Sequence, residues 1–287
     1  MHSSARRRPL AALFSLLLLC SSPLLRAADL KPEEVLAKHL DSIGSAQVRS
    51  SMKSRVVQGF ATYRVLVGGS GAIDGKYVYA SEGDKSNYLC KINSNGFRGE
   101  QIIYDGNRVS VAGTYLDKSR SEFGDFLINQ DAPIRENLLG GVWSSGWPLL
   151  DLEGHKAKLH SEGTKKVDGR EFIVLRYQPK KGTDLSILLY FDPQSYQHLM
   201  TTYRISVSAG IGTHGETSSS QKQVTRYQIE EKFSDYQTTD GLTLPSHYDL
   251  RFSQELDNGF SKLVEWEVKA TNIVNNIPVD ARSFQVK

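Results

Sequence analysis

Between Thr201 and Lys269 the chain alternates apolar and polar side chains over four successive stretches. Tyr203, Ile205 and Val207 share one face of the first, and Tyr227, Ile229 and, after a shift in the pattern, Phe233 mark the second. Tyr248, Leu250 and Phe252 alternate with His247, Asp249 and Arg251 in the third, and Val264, Trp266 and Val268 with Glu265, Glu267 and Lys269 in the fourth. A side-chain period of two places each apolar set on one face. The pattern predicts a sheet with one dry and one wet side, and such sheets are antiparallel as a rule.

Upstream, Pro32, Glu33 and Glu34 precede Val35, Leu36, His39, Leu40 and Ile43, with Gly44 as a stop, which predicts a short amphipathic helix. His39 lies beside its apolar stripe and reads as a core or boundary histidine. Strand periodicity starts near Val56 and continues through Phe60, Tyr63, Val65, Ile73, Tyr77 and Tyr79 to Ile102, Tyr104, Val109 and Val111, with glycines 68, 69 and 71 and Asp105-Gly106 as turns. This is a meander of adjacent antiparallel strands.

The period changes near Ser119. Ser119 and Glu122 have capping-box spacing, followed by Phe123, Phe126 and Leu127 at helical intervals, although Gly124 weakens that helix. A restart at Asp131-Ala132-Pro133 presents Ile134, Leu138 and Leu139, and an aromatic loop holds Trp143 and Trp147. Strands resume at Lys158–His160, turn near Gly163, and reach a stretch apolar on both faces at Leu185–Phe191, which requires cover on both sides or a central place. Ile273, Ile277, Val279 and Phe284 suggest a last edge segment.

The first residues alter what composition means. Arg6, Arg7 and Arg8 precede an apolar run from Leu10 to Leu19, and Ala27 and Ala28 supply small residues for cleavage, so residues 1–28 read as an export signal and 29–287 as a single domain. The formal charge of +3 loses the four arginines at 6, 7, 8 and 26, leaving −1 and no bulk attraction for nucleic acid. Cys20 only weakly matches a lipid-acceptor cysteine because Leu19 precedes it, and its loss with the signal leaves Cys90 alone, without an intramolecular disulfide. Cys90 reads as a small buried residue, and stability must come from the core.

Candidate chemistry is sparse. Gly210, Gly212 and Gly215 spell a phosphate-loop pattern, but the serines after them lead into a strand, where a dinucleotide site needs a helix. Ser70 has Ala72 where a nucleophile elbow wants glycine, and it joins two strands. His155 and His160 are five apart and point to opposite faces of a strand, so no metal is expected. Glu265 and Glu267 share a polar face, and neither they nor Glu230 and Glu231 have a reason in the sequence to carry a raised pKa. No cofactor or catalysis is expected.

What remains is an abundance of aromatic residues for one side of the sheet, enough to line an apolar cavity. The export signal, the helix at Pro32–Leu36, the meander from Val56 to Val111, the helical interruption from Ser119 to Leu150, the Asp240–Pro245 turn and Phe284 together resemble the bacterial LolA/LolB-like lipoprotein carriers and sorting proteins over nearly the whole mature chain. That resemblance implies a curved antiparallel sheet forming an incomplete barrel, mainly β, with short helices as a lid over the cavity. It implies a periplasmic, non-enzymatic protein, with possible outer-membrane association and transient membrane contact, that binds acyl chains of lipids or lipoproteins. Phe123 to Leu127 and Trp143 to Trp147 become lid candidates, and Tyr77, Tyr79, Tyr104, Phe123, Phe126, Leu127, Trp143, Trp147, Tyr203 and Trp266 ligand-binding candidates. The resemblance also implies a lid-binding arginine, which the pattern assigns to no position. The alternatives are a non-catalytic envelope sensor or scaffold that holds another protein, and an exported hydrolase.

Overall fold

The computed structural model describes residues 31–92, 94, 98–113, 120–210 and 222–285. The export signal, Cys20, Ser119 and most of the glycine pattern at 210–215 lie outside the described residues. One twelve-stranded antiparallel sheet dominates, and it is open and curved. Its first meander comprises β1 (Ser54–Val67), β2 (Gly71–Glu82), β3 (Lys85–Ile92), β4 (Gly99–Tyr104) and β5 (Val109–Gly113). The second comprises β6 (Lys158–Val167), β7 (Arg170–Gln178), β8 (Ser186–Phe191), β9 (His198–Gly210), β10 (Lys222–Thr239), β11 (Leu242–Leu256) and β12 (Ser261–Asn275).

The spatial order is β5-β4-β3-β2-β1-β12-β11-β10-β9-β8-β7-β6. The two meanders therefore join through β1 and β12, at opposite ends of the sequence, with Tyr63 opposite Trp266 and Ala61 opposite Val268. The outer strands β5 and β6 are consecutive in the chain and do not pair. The segment between them carries α3 (Glu122–Asn129), α4 (Ala132–Arg135), two short 3-10 turns at Gly141–Trp143 and Pro148–Leu150, and α5 (Leu152–His155). Instead of closing the barrel edge to edge, the chain packs this helical segment into the apolar core on the dry face of the sheet.

The dry face is as the alternation predicts. Tyr248, Leu250 and Phe252 on β11 and Val264, Trp266 and Val268 on β12 are all buried in the main core. The opposite face carries an ion-pair lattice: Arg64 reaches Glu265 (3.2 Å) and Glu267 (2.7 Å), and Arg251 reaches Glu265 (2.6 Å). The doubly apolar strand β8 is covered on both faces, with Ile187, Leu189 and Phe191 in the main core and Leu188 and Tyr190 in a second cluster with Phe172, Val174 and Met200.

Three local expectations are corrected. Gly163 does not end a strand; it lies in a bulge between Ser161 and Thr164 that lets β6 run on to Val167. Ile273 belongs to β12, in the middle of the sheet, and Phe284 sits in a short 3-10 turn instead of an edge strand. Ser121, not Ser119, caps α3, its hydroxyl accepting from the Gly124 N–H at 3.0 Å.

The opening helix α1 (Pro32–Ile43) buries Val35, His39 and Ile43. The His39 Nδ1–H donates to the Tyr196 carbonyl at 2.8 Å, and the ring packs against Phe191 and Trp147 at centroid separations of 5.0 and 5.2 Å. Burial pushes its imidazole down to about 4, so it is a neutral core group.

Candidate interior site

A cavity of about 40 Å³ remains on the dry side, beneath α3. Tyr77, Cys90, Glu100, Phe123, Leu250 and Trp266 are among its walls. Phe123 stands over Trp266 and Phe252 at 5.1 and 5.5 Å, and Phe126 packs against Tyr227 and Phe252 at 5.3 and 5.4 Å. On its other side Phe126 borders an open groove of about 340 Å³ with Glu122, Asp125, Val207 and Tyr227. The two aromatic rings of α3 thus stand between an inner hollow and an outer groove.

Glu100 of β4 holds the start of α3. Its carboxylate accepts from the Ser121 N–H and from the Ser121 hydroxyl at 2.7 Å. It is 4% exposed, and burial raises its pKa although both Ser121 bonds oppose that shift. Lys262 of β12 pairs with Glu122 at 2.6 Å and ties the same turn to the sheet. Gly124, which weakens the helix by propensity, allows this approach: a β-carbon there would collide with the Glu100 carboxylate and lie 2.9 Å from a Val111 methyl. Gly124→Ala is accordingly expected to cost about 1 to 3 kcal/mol despite its better helix propensity. Urea titration of the purified protein checks the sign, and a stabilised variant would show that α3 can stand off from β4.

The residues after α3 are fastened differently. The Trp143 indole N–H donates to the Pro245 carbonyl at 2.8 Å, and its ring packs against Tyr248 at 5.2 Å. The Tyr88 hydroxyl donates to the Leu139 carbonyl, and the buried Arg55 guanidinium donates to the Val142 carbonyl and, at 2.7 Å, to Asn275 Oδ1. Burial lowers the Arg55 pKa to about 10. Glu231 of β10 completes the anchorage: Oε1 accepts from the Gly140 N–H (2.6 Å) and the Tyr248 hydroxyl (2.8 Å), and Oε2 from the Tyr203 hydroxyl (2.7 Å). Burial raises its pKa to about 7 against the pull of these three bonds.

Glu231 also explains the apparent shift in the β10 pattern, and it is a correction. The strand alternates without interruption from Tyr227 through Ile229 to Phe233, opposite Gln254, Phe252 and Tyr248, and Glu231 fills the inward place between them. A charged residue at a core position looks like a break in the period until its three donors are seen.

Of the sequence-selected binding residues, Tyr77, Phe123 and Trp266 line the cavity and Phe126 lines the outer groove. Tyr79, Tyr104, Leu127, Trp143, Trp147 and Tyr203 are buried in the surrounding core without lining either space. Trp147 stacks near His198 at 5.2 Å, and Tyr104 donates to the Gly106 carbonyl at 3.0 Å. The cavity adds Glu100, Cys90, Tyr88 and Leu139, and Cys90 is a buried thiol that burial pushes up to about 12. Ser70 lies in the β1–β2 turn, and His155 and His160 lie apart, at the end of α5 and on β6.

No family profile matches the chain, and no curated protein matches it. Among solved structures it is similar to a LolA superfamily protein from Nitrosomonas europaea, at 12% identity over 90% of this chain and 98% of that one, with a TM-score of 0.44. A DUF1329 family protein from Desulfovibrio piger matches at 12% identity over 88% and 96%, with the same TM-score of 0.44. A putative outer membrane lipoprotein-sorting protein domain from Vibrio parahaemolyticus matches at 12% identity over 87% and 97%, with a TM-score of 0.40. Among the described residues no helix is long and apolar enough to cross a membrane.

In physical terms the half-barrel has a largely packed apolar interior with a small hollow beneath α3, and the covering pieces differ in how they are held. The central segment from Leu138 to Trp147 is tied by buried hydrogen bonds to β1, β3, β10 and β11. Helix α3 has eight residues and is tied by Glu100, Lys262 and two phenylalanine rings.

Proposed function

We propose that this protein is an exported, periplasmic binder or carrier of lipid or lipoprotein acyl chains, with α3 as the moving cover and the hollow under Phe123 as the place where a chain enters. The observation that carries the reading is the position of α3 between the inner cavity and the outer groove. A hollow of about 40 Å³ is far below the roughly 300 Å³ or more of a ligand pocket, so uptake requires the cover to leave. Burying fifteen methylenes contributes about 12 kcal/mol, and exposing Phe123, Phe126 and Leu127 costs about 2 kcal/mol each. The balance favours a guest by several kcal/mol before ordering costs, which suits reversible sequestration.

Gentle purification from the native compartment followed by intact-complex mass spectrometry tests this. An acyl-bearing guest is expected on the wild type, reduced at least fivefold in Phe126→Asp and unchanged in Lys269→Glu, which alters the exposed opposite face. Equal occupancy in both folded variants would reject α3 as the gate. A guest-free wild type that also fails to take up added acyl probes would reject the carrier role.

A further inference from the structure

The polar groups of the cavity restrict what kind of amphiphile can occupy it, an inference that rests on the acyl-binding reading. Glu100 is the one carboxylic acid among the cavity walls, and no lysine, arginine or histidine lines the space. Its carboxylate is satisfied by two donors, both from Ser121, and Ser121 caps α3. When α3 moves off to admit a chain, those donors leave with it. A buried carboxylate stripped of its donors is costly unless something else donates to it. Two strands away, in register across Cys90 and on the same cavity, Tyr77 is 7% exposed and its hydroxyl has no partner. A phenol can supply one donor and also accept, whereas an ionised fatty carboxylate could only accept and would face Glu100 with like charge.

We infer that the interior site selects uncharged acyl amphiphiles whose polar end carries an O–H or N–H donor, which replaces Ser121 on Glu100 and engages the Tyr77 hydroxyl, and that it discriminates against free fatty acids. The shared chemistry is the donor. A hydroxyl identifies a glyceride-like source and an amide N–H an N-acylated one.

The test uses the purified protein loaded with the neutral fluorophore N-phenyl-1-naphthylamine at pH 8, displaced by monolauroylglycerol, lauramide or laurate below their aggregation concentrations. One or both of the uncharged competitors are expected to displace it at concentrations at least tenfold lower than laurate, and the better one names the source. Glu100→Gln, which removes the charge and keeps an acceptor oxygen, should shrink the preference to threefold or less. Tyr77→Phe, which deletes a hydroxyl with no protein partner, should weaken the uncharged competitors at least threefold without lowering the melting temperature. Laurate competing as well as both uncharged amphiphiles on the wild type would overturn the selectivity while leaving acyl binding intact. If Glu100→Gln does not fold, an unchanged affinity for the uncharged competitors in Tyr77→Phe would overturn it as well. No binding of the fluorophore or of any competitor would overturn the acyl-binding reading and this inference with it.

Discussion

Glu231→Ala is expected to remove about 4 kcal/mol of stability, because it leaves the Gly140 N–H and the Tyr203 and Tyr248 hydroxyls buried without their acceptor. Glu231→Gln, which keeps an acceptor oxygen, should cost about 1 to 2 kcal/mol. The pair also separates two opposing pH dependences. The folded Glu231 carboxyl titrates near 7 instead of 4.5, so between those values the folded protein holds a proton that the unfolded chain releases, and its contribution falls by about 3 kcal/mol as pH rises. His39 has the opposite sign: its folded pKa near 4 lies below 6.5, so its stability is full above 6.5 and is lost as pH falls toward 4. Burial also holds the His198 imidazole well below 6.5, so it adds to the His39 slope and opposes Glu231. Chemical denaturation between pH 4.5 and 6.5 should show stability rising more steeply with pH in Glu231→Gln than in the wild type, and less steeply in His39→Gln. A Glu231→Gln slope unchanged from wild type would show that the carboxyl titrates near its ordinary value and is solvated.

The same residue marks where sequence reading reaches its limit. Because a period of two is a local property of each strand, alternation located the inward residues of β11 and β12 and, on β9, the buried Tyr203, although Val207, given the same face, is exposed. It could not interpret a glutamate at an inward position, since the donors that make burial tolerable come from strands and loops remote in sequence, with Gly140 lying 91 residues from its acceptor. Arg55 was hidden for the same reason. It looks like one more polar residue at a strand start, and only the fold brings it to Val142. The aromatic count pointed to an apolar interior, but composition does not distinguish the rings that fill space, such as Trp143, from those that border it, such as Phe123. That distinction depends on how far the central segment sinks between the unpaired edges β5 and β6, a non-local outcome of meander order. Gly124 illustrates the converse. Propensity counts it against the helix, whereas the contact between α3 and β4 needs the missing side chain.

Arg55→Ala should destabilise the protein by about 3 to 4 kcal/mol, the second large effect, by opening a void at a fully buried site and removing the donor to the Val142 carbonyl and to Asn275 Oδ1. Arg55→Met separates packing from polarity. No carboxylate within salt-bridge distance of Arg55 is found among the described residues, and burial already lowers its pKa to about 10, so its charge is held at a desolvation cost that a similarly long apolar chain avoids. Methionine should therefore recover most of the stability lost in Arg55→Ala. It cannot recover the bond to the central segment, so amide exchange at residues 140–147 should accelerate at least tenfold in Arg55→Met while the strands of β10 to β12 keep wild-type protection. That separation of global stability from local opening would place Arg55 as the tie that fixes the central segment against the sheet, leaving α3 as the part free to move. Equal protection in the Met variant and the wild type would transfer that role to Trp143 and Glu231, whose bonds to the same segment remain intact in Arg55→Met.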